Sequence, residues 1–148
     1  MADGTDRPDF VTHFLKGIER FNNRKFWDAH EEWEEIWLHA SSEMHQFLQG
    51  LIQIAAAYHH VKRGTLRGAV RLFDAALARL EPFPPQYCGL DRPPLVETCL
   101  RHRQLVADLL QASAPDQTSW PERIAEGSFP SIRLHEDPSF PVPPRVDW

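Results

Sequence analysis

The sequence predicts an all-α, single-domain bundle of about five helices, carrying an extended Pro-rich C-terminal arm. Three observations carry that prediction. Residues 46–61, QFLQGLIQIAAAYHHV, are apolar or small around a whole helical circumference, apart from Gln46, Gln49, Gln53, His59 and His60. Such a helix is either a membrane span or the buried centre of a bundle, and a span needs ~20 apolar residues without these interruptions. Apolar residues at three-four spacing recur on both sides of it, from Phe10 to Leu109. Prolines gather in residues 82–94 and beyond Gly127, where no period continues. The 148 residues are one domain's worth of chain, divided into a helical bundle over 1–113 and the arm over 114–148.

The elements follow in order. Asp9 can cap a first helix whose Phe10, Phe14, Ile18 and Phe21 share one face, and Asn22-Asn23 reads as its break. The second helix is expected over about 24–40. At ~100° steps Ile36, Ala29, Ala40, Trp33, Phe26 and Trp37 make one apolar stripe, followed on the same arc by His30, Glu34, Trp27 and Leu38, with Glu31 at the far edge. Asp28, Glu32, Glu35 and His39 fall opposite and read as surface charge. Ser41 or Ser42 can cap the third, central helix, over 43–63, which ends at Gly64. Thr65 can cap the fourth, over about 66–81, so close behind that the two are antiparallel neighbours. There Leu66, Ala69, Val70, Phe73, Ala76, Leu77 and Leu80 face inward, and Gly68 leaves room for a neighbouring backbone. A stiff loop leads to a fifth helix over about 93–112, with Leu95, Cys99, Val106 and Leu109 on one stripe. Ser119-Trp120-Pro121-Glu122 reads as the start of a short helix, and the arm brings Phe129, Ile132, Leu134, Phe140 and Trp148 as apolar surface. No strand is expected.

Composition narrows the function classes. A net charge of -5 and the lack of any basic stripe beyond Arg101-His102-Arg103 argue against nucleic acid. No segment reads as a signal peptide or a membrane span. Cys88 and Cys99 make neither a metal spacing nor a disulfide framework, which fits a reducing cytoplasm. His13, His102 and His135 stand isolated along the sequence.

The polar residues of the central helix need partners, because a buried amide without one costs ~1–3 kcal/mol. Gln49, Gln53, Ala56 and His60 share one face, and the second helix offers His30, Glu34 and Glu31. One shared pocket is therefore expected, made of His30, Glu31, Glu34, Gln49, Gln53 and His60 and walled by Trp27, Trp33, Trp37 and Tyr58. It can be a structural hydrogen-bond network or a small-molecule site. It can also hold a divalent metal. His30-Glu31-x-x-Glu34 is similar to the zincin motif with Glu34 in place of the second histidine, so His30, Glu34 and His60 would be ligands of a metal-dependent hydrolase with Glu31 as base. A protein-interaction module, working through the acidic face of Asp28, Glu32 and Glu35 or through the arm, is the remaining alternative, and a homodimer stays open.

Phe21-Asn22, Phe26-Trp27-x-Ala29-His30-Glu31-x-Trp33-Glu34-x-x-Trp37, Phe47-Leu48-Gln49-Gly50-Leu51-Ile52-Gln53-x-Ala55-Ala56-Ala57 and His60-x-x-x-Gly64-x-x-x-Gly68-Ala69 occur in that order. The combination resembles the family called domain of unknown function 309, over about residues 10–81. Thr65 stands where that family is expected to have Asn. The resemblance implies a compact helical protein of the bacterial cytoplasm and assigns no activity.

Overall fold

The computed structural model describes residues 9–40, 42–111 and 129–134. Among the described residues five helices form: α1 (Phe10–Asn22), α2 (Phe26–Trp37), α3 (Ser42–Arg63), α4 (Leu66–Leu80) and α5 (Arg92–Gln111). Two two-residue strands, β1 (Gln86–Tyr87) and β2 (Leu90–Asp91), lie between α4 and α5. None of the described helices is long and apolar enough to cross a membrane.

Local chemistry sets the boundaries. The Asp9 carboxylate accepts from the Thr12 hydroxyl at 2.6 Å and caps α1. Arg24 adopts φ 65°, and the amide of Lys25 reaches back to the Arg20 carbonyl, so the chain turns before α2 begins at Phe26. Helix α2 closes at Trp37, sooner than expected, and Leu38–Ala40 leave it through amides bonded to Glu34 and Ile36 carbonyls. Ser41 lies outside the described residues, and Ser42 opens α3 at φ 57°. At the other end Gly64 takes φ 79°, with Thr65 N donating to His60 O and Gly64 N to Val61 O, the two bonds of a Schellman close. Thr65 makes no side-chain capping bond to α4, contrary to expectation.

Facing residues show that successive helices run antiparallel. Phe14 and Gly17 of α1 meet Trp33 of α2, while Phe21 meets Phe26. Between α2 and α3, Trp37 stacks on His45 and Trp27 lies against His59. Between α3 and α4, the early Gly50 faces Leu80 and the late His60 faces Gly68. A side chain at Gly17 would run into the Trp33 indole, so that glycine is what lets α1 and α2 close. Gly68 likewise gives up its side chain to a neighbour, but the neighbour is the His60 ring, not a backbone. The core is aromatic at its centre: Phe21, Phe26, Phe73, Phe129 and His102 all pack around Tyr58.

The expected plain loop after α4 holds a hairpin instead. Cys88 (φ 54°) and Gly89 (φ 76°) are both left-handed, the signature of a tight hairpin turn whose twist suits the flanking strands. Its outer edge pairs with the arm: Asp91 N donates to Arg133 O, and Leu90 bridges Leu134. Asn22 takes both backbone groups of Ile132, donating to O at 3.1 Å and accepting from N at 2.7 Å. The described part of the arm therefore packs on the bundle. The expected short helix at 119–122, and Phe140 and Trp148, lie outside the described residues.

Candidate functional site

On a wheel of α3, Phe47, Leu51, Ile54, Tyr58 and Val61 point to the core. His45 and His59 mark the line facing α2, and Gln46 and Gly50 the line facing α4. Between those lines, on the outer side, run Gln49, Gln53, Ala56 and His60, all half-buried. They form the floor of a groove whose walls are α2 and α4.

The α2 wall carries Trp27, His30, Glu34 and Trp37. Trp27, 46% exposed, stacks on His30 at 4.6 Å between centroids and leans on His59 at 5.0 Å. The His30 side chain is only 15% exposed, and its Nε2 lies 3.6 Å from a Glu34 carboxylate oxygen that remains open to solvent. The Trp37–His45 and Trp27–His59 contacts fix the register of α2 on α3, which sets Gln53 level with His30 and Gln49 level with Glu34. The α4 wall carries Gly68, Leu72, Ala75 and Arg79 at successive turns. At its far end the Arg79 guanidinium donates to Gln46 Oε1.

The groove concentrates unmet hydrogen-bonding capacity. His30 Nδ1 and Trp37 Nε1 on one wall, Gln53 Oε1 and His60 Nδ1 on the floor, and Arg79 Nε on the other wall are buried and have no partner among the described residues. Folded proteins pair the large majority of such atoms. Burial also lowers the pKa of His59, with Arg63 next in effect.

Three residues expected in the pocket are elsewhere. Trp33 is fully buried against α1, its Nε1 donating to Phe14 O. Tyr58 projects from the opposite side of α3 into the core. Glu31 is exposed beyond the α2 wall, on a polar cleft of about 520 Å³ lined also by His13, Arg20, Asp28, Glu32 and Glu35. Among the described residues no three His, Cys, Asp or Glu side chains form a metal-holding group, so His30, Glu34 and His60 are not assembled as one. His60 turns its Nδ1 edge toward Gly68 of α4, away from Glu34.

Two histidines that looked isolated have partners. His13 Nδ1 lies 2.8 Å from Glu32, which is therefore a half-buried link between α1 and α2 and not plain surface charge. His102 is buried, with Nδ1 2.7 Å from the Tyr58 hydroxyl, and that hydroxyl is 3.8 Å from Cys99 Sγ. Burial pushes His102 down to about 4, with Arg101 adding to it, and pushes Cys99 up to about 12. The Tyr58 hydroxyl, which can donate one hydrogen bond and accept others, links a neutral His102 to Cys99 and satisfies this cluster. The signal was legible in spacing: Leu95, Cys99, His102 and Val106 continue one stripe.

The model of the family described as domain of unknown function (DUF309) matches residues 14–72. Over those residues the chain is similar to DUF309. The matched stretch spans most of α1, all of α2 and α3, and α4 as far as Leu72, so it includes the groove floor and the α2 wall. Arg79, the hairpin and α5 with His102 fall after the DUF309 match. No curated protein and no solved structure gave a significant match.

Proposed function

We propose that this protein is a binding module and that the groove over α3 holds a small polar molecule. One observation carries the reading: His30 Nδ1 and Trp37 Nε1 of α2 and Gln53 Oε1 and His60 Nδ1 of α3 are buried and have no partner among the described residues. A network built only to fix the core would pair them with each other, as the Tyr58 cluster does. The mixture suits a ligand that both gives and accepts hydrogen bonds, since the indole only donates, the amide oxygen only accepts, and imidazoles do either. The half-exposed Trp27 ring at one end and the Trp37–His45 stack at the other add flat apolar surface. The setting that goes with this reading is the bacterial cytoplasm, which the free thiols of Cys88 and Cys99 suit.

Gln53→Met tests it. In an unliganded site the amide oxygen carries a desolvation cost that the thioether does not, so the variant should gain about 1 kcal/mol. In a chain of this size that raises Tm by roughly 2–4 °C. A lower Tm would make Gln53 part of a structural network and overturn the reading.

A further inference from the structure

A second cavity lies past the Arg79 end of the groove. It is a cleft of about 560 Å³ between the start of α3 and the end of α4, lined by Glu43, Gln46, Ala75, Ala78, Arg79, Pro82 and Phe83. Its size is that of a small-molecule site. Ala75, Ala78, Pro82 and Phe83 make an apolar body, and the polar groups gather at one side.

We propose that this cleft binds a small carboxylic acid with an apolar body, held through Arg79. The guanidinium is already oriented, because its Nη1 donates to Gln46 Oε1. That bond leaves the opposite edge, where Nε–H and an Nη2–H point the same way, and this is the edge that grips a carboxylate with two parallel bonds. Nε on that edge is buried and has no partner among the described residues. An acceptor is the only group that can satisfy it, and a charged acceptor does so best. Glu43 also borders the cleft, and burial first, with the Glu43 charge among the lesser causes, pushes the Tyr87 hydroxyl up to about 12. Nothing in the groove reading requires this second site, since the atoms that carry that reading lie on α2 and α3.

The test is an NMR titration of the full chain with three probes: 4-methylpentanoate, the alcohol of the same carbon skeleton, and acetate. The expected result is saturable shifts at Ala78 and Phe83 with 4-methylpentanoate, at least tenfold tighter than with the alcohol, which lacks the head, or acetate, which lacks the body. Arg79→Lys keeps the charge but loses the two-bond edge and should weaken binding about tenfold, a difference of about 1.4 kcal/mol. Glu35→Gln, on the far side of α2, should change nothing. Equal binding of all three probes, shifts only outside the cleft, or no binding of 4-methylpentanoate would overturn the proposal. The groove reading is decided separately by the Gln53→Met melting temperature.

Discussion

Two polar clusters flank helix α3 on opposite sides, and they are built on opposite terms. On the core side, Tyr58, Cys99 and His102 are buried together, and each finds another within the cluster. On the outer side, His30, Gln53 and His60 are buried in part and leave atoms without a partner among the described residues. Both clusters join α3 to neighbouring helices, and both mix imidazole with other polar groups. What separates them is closure. A closed polar cluster stabilises the fold and specifies packing, whereas an open one leaves hydrogen-bonding capacity for a molecule from outside.

The comparison predicts unequal costs. Tyr58→Ala should be the most damaging change, because it empties the centre of the aromatic core and unpairs His102 at once. A loss of about 4 kcal/mol is expected in denaturant unfolding. If the loss were under about 1 kcal/mol, the closed cluster would not be holding α5 to α3.

The next effect is on pH dependence. His102 has its folded pKa pressed from 6.5 to about 4 by burial and then by Arg101, so the unfolded chain binds the proton more readily. The groups that face it are Tyr58 and Cys99 from within the cluster and Phe129 from the arm. Its contribution is complete above about pH 6.5 and is lost as pH falls toward about 4. The lost stability is on the order of 3 kcal/mol. His102→Gln, which keeps a hydrogen-bonding group but does not titrate, should flatten the Tm profile across that window. A profile as steep as that of the unaltered protein would assign the dependence to other groups.

How much of this could be read in advance depended on sequence distance. The helices were legible because each repeats its apolar residues every turn, and the wheel of α2 separated the buried Ala29, Trp33 and Ile36 from the half-buried His30 and Glu34. The line Gln49, Gln53, His60 was legible for the same reason. The wheel alone did not say that this line faces outward, between two walls, while Tyr58, two residues before His60, points into the core. That depends on where α2 and α4 sit. Pairings at long range left no periodic trace: His13 with Glu32, Asn22 with Ile132, and Tyr58 with His102. The hairpin was missed because its strands are two residues each and its turn uses Cys88, a residue that rarely takes positive φ.

The smallest expected stability effect is the one that bears most directly on the open cluster. Trp27 is large and aromatic, and in the core its removal would cost several kcal/mol. It stands instead at the rim, nearly half exposed, with the His30 and His59 rings against it. Trp27→Ala should therefore cost within about 1 kcal/mol, the worth of an aromatic contact at a solvated edge. Its consequence lies in what it uncovers. The indole shields the face of His30, whose Nδ1 has no partner among the described residues, and without it water reaches that ring. The side-chain 15N signals of His30 should then move toward those of a solvated imidazole, while those of His102 stay fixed. A large drop in Tm, or a shift at His102 comparable to that at His30, would mean that the two sides of α3 are one cooperative core and not a closed cluster and an open one.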